Sequence, residues 1–308
     1  MLPLPGSTFA PEVDALFYFI FYTALVLFVL VITVMIYFGI KYRQKSKETP
    51  LTSGVDKNHL LEFTWTIIPT ILVVIVFFWG FNTYMTMNVV PKDALEIKVT
   101  GQKWFWSFDY PEGFNSVHEL TVPVNKPVKL VMSSKDVIHS FFVPDFRVKM
   151  DVLPNRYTIT WFEANKLGQH HLFCAEYCGK GHSEMLGSVN VVTEEDYALW
   201  LEKSQTVDES IPLEELGEML YTKKACVTCH TLDGSILVGP SLLGIFGSVV
   251  YHTDGSQVVA DENYLRKSIL NPQADVVVGF DPVMPTFQGI LRDREIDGLV
   301  AYIKTLKK

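Results

Sequence analysis

The stretch Cys174-Ala175-Glu176-Tyr177-Cys178-Gly179-Lys180-Gly181-His182-Ser183-Glu184-Met185 places two thiols, an imidazole and a thioether within twelve residues. A second imidazole, His139, stands about 35 positions before Cys174, after a strand-like run. Thiolate, thioether and imidazole ligands together favour copper over hard cations. A single-copper electron-transfer site needs two histidines, one cysteine and a weak axial methionine, so the second cysteine points to more. Two thiolates can bridge two coppers, with His139 and His182 completing one each, and Met185 and a backbone carbonyl as weak axial ligands. Spreading one unpaired electron over two metals lowers the rearrangement needed per transfer. A Cys174–Cys178 disulfide leaves the histidines and the methionine unexplained, and a two-Cys, two-His zinc site leaves the methionine unexplained.

Further along, Cys226-Val227-Thr228-Cys229-His230 is the attachment pattern of a c-type haem, with two thioether links and an axial histidine. An electron-transfer haem needs a second axial ligand, and Met284 in the turn Val283-Met284-Pro285 offers a thioether, which with histidine raises the potential. Met219 in the preceding helix and His252 in a polar loop fit less well. Gly239-Pro240-Ser241-Leu242 follows the attachment site, and its turn can set a backbone carbonyl, that of Pro240, against the other nitrogen of His230 and so orient the ring.

Working towards the N-terminus, two uncharged runs, about 15–40 and 63–87, each exceed the roughly 20 apolar residues needed to cross a bilayer. The segment before Ala15 carries Glu12 and Asp14 and no basic residue, unlike a cleaved signal peptide, so the first span is expected to be retained. Between the spans lie Lys41, Arg43, Lys45, Lys47 and Lys57, which assign that loop to the cytoplasm and both flanking regions to the outer face. The net charge is −8, of which −3 falls on residues 91–204 and −5 on residues 205–308. Nucleic acid is excluded as a partner, because phosphate binding requires clustered Lys and Arg. An acidic outer surface suits a basic redox protein.

After Pro91 short β-rich runs appear at 95–100, 104–108, 119–124, 128–133, 157–163, 170–174 and 187–192, a spacing that predicts an antiparallel sandwich or barrel. Thr193-Glu194-Glu195-Asp196 has the form of a helix start, with a helix expected through Trp200. Helical pieces follow at 213–224, 262–270 and 292–306, the last with Ile296, Leu299, Val300, Ile303 and Leu306 on one face. The expected organisation is a transmembrane hairpin (1–90), a β domain carrying the copper residues (91–204), a linker (205–212) and a helical haem domain (213–308).

Residues 1–204 resemble subunit II of the haem–copper cytochrome c oxidases. The resemblance rests on Leu61-Glu62-Phe63-Thr64-Trp65-Thr66-Ile67-Ile68-Pro69, Gly101-Gln102-Lys103-Trp104-Phe105-Trp106, Asp136-Val137-Ile138-His139-Ser140-Phe141 and the copper loop. Residues 217–302 are similar to small class I cytochromes c, and the fusion of the two modules resembles the caa3-type oxidases. The fold class expected is therefore a multi-domain membrane protein: a two-helix transmembrane hairpin, a Greek-key β-sandwich of the cupredoxin type and an all-α class I cytochrome c domain. The resemblance implies a binuclear CuA centre on His139, Cys174, Glu176 (through its carbonyl), Cys178, His182 and Met185. It also implies a magnesium ion on the Glu176 carboxylate, shared with subunit I. Glu62 would stand at the mouth of a proton pathway. Trp104 would lie on a route from a docked donor to the copper, reduced to a secondary entrance if the fused haem is the port.

The function implied is that of the electron-input subunit of a terminal oxidase. An external donor (a cytochrome c, an iron–sulfur protein or a partner respiratory complex) reduces haem c, which reduces CuA, which reduces a haem in subunit I. There O2 becomes water with proton pumping. Subunits I and III and membrane lipid are the expected neighbours, and the bacterial plasma membrane the expected location, with the N-terminus and the metal domains on the periplasmic side. The alternative is the matching subunit of a CuA-containing nitric oxide reductase; a copper-storage or assembly protein would have no use for a fused haem. His59, His118, His170, His171 and His252 are left as surface or packing residues.

Overall fold

Pro11, whose fixed φ suits a first helical turn, opens helix α1 (Ala10–Lys41). Asn58 caps α2 (His59–Asn88), its side chain accepting the Leu61 N–H at 3.1 Å. Both helices start before the expected 15 and 63. The apolar runs mark the lipid-crossing stretch, while the polar first turns Pro11–Asp14 and His59–Glu62 belong to the same helices as their caps. In this computed structural model, which describes residues 2–44, 54, 56–206 and 209–307, both helices are long and apolar enough to cross a membrane. Near the chain start of α1 they are tied by the Thr83 hydroxyl, which donates to Glu12 Oε1 at 2.8 Å, and by Phe19 against Trp79 at 5.7 Å. Of the basic residues in the connecting loop, Lys45 and Lys47 lie outside the described residues.

The chain divides into two compact units, the helical hairpin and a second unit made of Gly6–Thr8 with everything from Val90. In the second unit the chain forms β1 (Leu95–Gln102), β2 (Phe105–Asp109), β3 (Asn115–Val117), β4 (Glu119–Pro123), β5 (Pro127–Ser134), β6 (His139–Val143), β7 (Val148–Val152), β8 (Thr158–Glu163), β9 (Gly168–Cys174) and β10 (Leu186–Val192). They build two five-stranded sheets, β3-β2-β1-β5-β8 and β4-β10-β9-β6-β7. Two pairings, β1 with β5 and β4 with β10, are parallel, the signature of a chain that crosses between sheets. Alternation drives the packing: in β5 the side chains of Val128, Leu130, Met132 and Ser134 are buried and the intervening ones are partly exposed. Trp106 of β2 meets Phe141 of β6 edge-on at 5.7 Å, closing one sheet on the other. His139 follows β5, as expected, and itself opens β6, because the chain bends after Ser134 and pairs with β7 from His139 onward.

Helix α3 (Glu194–Gln205) runs past Trp200 into the expected linker, capped by Thr193, which accepts the Asp196 N–H at 3.1 Å. Then come α4 (Leu213–Lys223), the hairpin β11 (Val249–Tyr251) and β12 (Gln257–Val259), α5 (Glu262–Leu270) and α6 (Asp293–Thr305). The hairpin is an addition to the all-helical expectation. Helices α4 and α6 cross at Gly217 and Gly298, so closely that a Cβ on Gly217 would lie 2.0 Å from the Gly298 carbonyl oxygen. Around this crossing Leu216, Leu220, Leu265, Ile269, Ile296, Leu299 and Ile303 form the helical core. Residues 207 and 208 of the linker lie outside the described residues. Its flanks are held at the start of α6: Nη2 of Arg292, the residue before the helix, donates to the Ser204 carbonyl at 2.8 Å, and Arg294 Nη2 to those of Glu209 and Ile211 at 2.9 and 2.7 Å. The helical part meets the sandwich through Phe105, which stacks on Phe287 at 6.3 Å and 13° and clusters with Val117, Ala225 and Ile290.

Candidate metal and haem sites

Three neighbouring chain ends assemble the first site. His139 starts β6, Cys174 ends the adjacent β9, and the loop to β10 carries Cys178, His182 and Met185. Backbone bonds fasten that loop at its base, the Ala175 N–H to the Ser140 carbonyl at 2.9 Å and the Cys174 N–H to the Met185 carbonyl at 3.2 Å. The sulfurs of Cys174 and Cys178 stand 3.9 Å apart as free thiols. Around them lie His139 Nδ1, 3.9 Å from Cys174 Sγ; His182 Nδ1, 3.4 Å from Cys178 Sγ; and Met185 Sδ, 3.9 Å from Cys178 Sγ. The Glu176 carbonyl is 3.3 Å from Cys174 Sγ. All six residues read from the sequence therefore converge, and His139, Met185 and both cysteines are buried. Burial opposes ionisation of both thiols. The His139 imidazole and the backbone beside it still hold Cys174 low, while burial and the neighbouring Cys174 sulfur push Cys178 up. Two unlike, adjacent sulfurs with an imidazole beside each suit a soft metal pair that would draw both into the thiolate form.

Asp136, which sequence reasoning quoted without assigning it work, locks His139. Its Oδ1 accepts the ring Nε2–H at 2.8 Å, leaving Nδ1 bare towards the sulfurs. Its Oδ2 accepts the Lys103 N–H at 2.9 Å, tying the site to the β1–β2 turn. Burial works against charge on either partner, yet their bond holds His139 above and Asp136 below the ordinary range. Asp three positions before a candidate ligand histidine is the signal in the sequence. The Glu176 side chain is exposed, as is that of Glu62, which sits in the first turn of α2 with His59 Nδ1 at 3.4 Å.

Trp104 lies beneath the loop. Its Nε1–H donates to the Cys178 carbonyl at 3.2 Å, and a Cβ on Gly181 would fall 2.6 Å from its Cδ2. The indole is 7% exposed. The ring is thus covered, and it also lines an apolar cavity walled mainly by the helical part.

That cavity is also walled by Cys226, Cys229, His230, Pro240 and Met284. His230 Nδ1–H donates to the Pro240 carbonyl at 2.8 Å, which frees Nε2 for a metal, and burial holds the ring below its ordinary pKa and so neutral. Gly239 is required here, since a Cβ would lie 2.6 Å from His230 Cε1. The Met284 turn is pinned by Gln273, whose Nε2 donates to the Pro282 and Met284 carbonyls at 2.9 and 3.1 Å, a role with no sequence signal. Met219 is not among the lining residues and is 38% exposed; His252 also lies outside the cavity wall. The apolar wall, the two cysteines and the free imidazole nitrogen fit a covalently held haem.

The chain matches three families in series: the transmembrane domain of cytochrome c oxidase subunit II over residues 2–83, its periplasmic domain over 113–192, and cytochrome c over 214–307. It is 32% identical over 285 residues to cytochrome c oxidase subunit 2 of Alkalihalophilus pseudofirmus, covering 87% of this chain and 79% of that one. The chain belongs to the cytochrome c oxidase subunit II family. A probable subunit 2 from Rickettsia bellii is 30% identical over 227 residues, covering 66% of this chain and 83% of the relative. The solved periplasmic domain of subunit II of Bradyrhizobium japonicum cytochrome oxidase is 39% identical and covers 38% of this chain and 97% of its own, with a TM-score of 0.36. Membership makes the protein a subunit of a haem–copper terminal oxidase with an electron-transfer role and subunit I as its partner. It implies CuA for the first site and haem c for the second.

Proposed function

We propose that the chain takes electrons from an external donor at a haem c held by Cys226, Cys229, His230 and Met284. It passes them to a CuA centre held by His139, Cys174, the Glu176 carbonyl, Cys178, His182 and Met185, and on to the haem of subunit I, where O2 is reduced to water with proton pumping. The observation that supports this order is a shared residue: Trp104 bonds to the copper loop and also lines the candidate haem cavity. When bound, the two groups supply successive one-electron couples.

The protein's own residues hold that arrangement still. Asp136 keeps Nδ1 of His139 turned to the sulfurs, Pro240 keeps Nε2 of His230 turned to the cavity, and Gln273 holds the Met284 turn. Trp104 is in this reading an internal bridge. The exposed Glu176 carboxylate is available to a magnesium ion at the contact with subunit I, and Glu62 to protons entering at the cytoplasmic end of α2. Subunit III and lipid cover other parts of the hairpin, and the metal domains stand on the periplasmic side of a bacterial plasma membrane. The donor is a small cytochrome, an iron–sulfur protein or a respiratory complex.

The test is rapid mixing of the purified intact complex with a one-electron donor. The haem band should reduce before the copper band, with consumption of oxygen and not of nitric oxide. Copper reduced while the haem stays oxidised would overturn the order, and turnover of nitric oxide alone would overturn the oxidase assignment.

A further inference from the structure

His252 is 5% exposed and takes no part in the relay just proposed. It follows β11 and bridges to Val277, beside a polar cleft lined by Ser256, Asp261, Tyr264, Lys267 and Asp275. Its hydrogen bonds fix its tautomer. The Ser256 hydroxyl spends its one hydrogen on Asp254 Oδ1 at 2.7 Å, so its oxygen can only accept from His252 Nδ1–H at 2.9 Å. Nε2 is then bare and accepts the Tyr264 phenol hydrogen at 3.3 Å. The two rings lie nearly parallel, 5.7 Å apart at 24°. Tyr264 is at the same time part of the haem cavity wall, with Ser268 one turn further along α5 on the same wall.

A proton added at Nε2 would put two donors face to face, so the phenol must reverse, turning its O–H towards Ser268 and the cavity. Protonation of His252 therefore changes both the charge behind the haem wall and the dipole on it. Charged groups lie on several sides of the ring. Asp254 reaches it through Ser256, Asp261 caps α5 by accepting the Tyr264 N–H at 2.8 Å, and Asp275 is paired with Lys267, which sets three carboxylates against one ammonium.

We propose that His252 is a positioning residue for the haem. It holds a proton behind the cavity wall and, through Tyr264, couples that proton to the electron on the haem. Reduction adds one negative charge to the cavity and draws a proton from water through the polar cleft onto Nε2; oxidation returns it. This rests on haem c filling the cavity and is independent of the direction in which electrons leave.

The measurement is spectroscopic redox titration of the haem α-band in the full-length haem-loaded chain from about pH 5 to 9. Because the proton favours the reduced haem, the potential should be highest in acid and fall as pH rises. A tenfold difference in proton affinity between the two redox states corresponds to about 59 mV, and a three- to tenfold difference is expected. His252→Gln should flatten the profile and Tyr264→Phe should shrink it, with the α-band intact in both. Should His252→Gln fail to fold, Tyr264→Phe alone decides, since it keeps the buried imidazole and cuts only the link. A flat profile in the parent chain, or a full slope retained in either variant, overturns the proposal. A parent chain with no α-band overturns the haem assignment as well.

Discussion

Gly181→Ala puts one methyl group between the copper loop and the ring beneath it. The added carbon would lie 2.6 Å from Trp104 Cδ2 and 2.7 Å from Cε3, where a relaxed carbon–carbon contact is about 3.5–4.0 Å, so the surfaces must part by roughly 1 Å. The indole is held in place: it is bonded to the Cys178 carbonyl and only 7% exposed. The loop must lift instead, and it carries Cys178 and His182 on either side of the glycine. Overpacking of this kind costs about 1–3 kcal/mol. Spent against the metal-bound geometry, that is roughly a five- to 150-fold loss of copper retention. Competition of the full-length protein against a graded copper chelator reads the loss directly, with the visible and near-infrared copper bands as a second signal. Gly39→Ala is the control, because nothing lies within 4 Å of its Cβ position. Copper retention and spectrum in Gly181→Ala equal to the parent would refute the claim that the loop is seated on Trp104.

Met185 is fully buried with its sulfur 3.9 Å from Cys178 Sγ. Met185→Leu, a volume-conserving swap, should cost less than about 1.5 kcal/mol of folding stability while changing the copper spectrum and slowing transfer; an unchanged spectrum removes Met185 from the site. For Met284→Ala a large fall in haem potential is expected, because the thioether ligand is what raises it, and a near-normal potential in redox titration would point to another ligand. Phe105→Ala deletes the ring stacked on Phe287 and should destabilise the contact between sandwich and helical part by about 3–5 kcal/mol. Hydrogen exchange should then rise at Ala225 and Ile290, and unaltered protection there would count against the seam.

The candidate metal and haem residues were legible in the sequence because coordination chemistry demands particular residue types at short spacing, as in Cys174 to Met185 and Cys226 to His230. The two apolar spans were legible because a bilayer demands length. Less visible were residues whose work depends on a partner far along the chain. Asp136 joins His139 to the Lys103 N–H 33 positions before it, and Gln273 holds a turn eleven positions on. Phe105 reads as one more strand aromatic until Phe287 arrives opposite it. Strand β7 alternates as Val148-Lys149-Met150-Asp151-Val152 but is only five residues long, and the β11–β12 hairpin has three residues per strand, too little pattern to separate from loop. His252 read as a packing residue, since a lone histidine in a polar loop carries no spacing to connect it with Tyr264.

Arg292 and Arg294 bind the backbone of the connecting segment through carbonyls, groups that every sequence possesses. With Phe105 seated on Phe287, they make the cytochrome part a fixed mount and not a tethered shuttle. Passage of an electron between the two metal sites should then be first order, indifferent to protein concentration and to added salt. Ionic strength, which screens encounters between separate molecules over about 8–10 Å, would act only on the arrival of the outside donor. A kinetic trace that splits into a salt-sensitive and a salt-insensitive phase would assign one phase to each event.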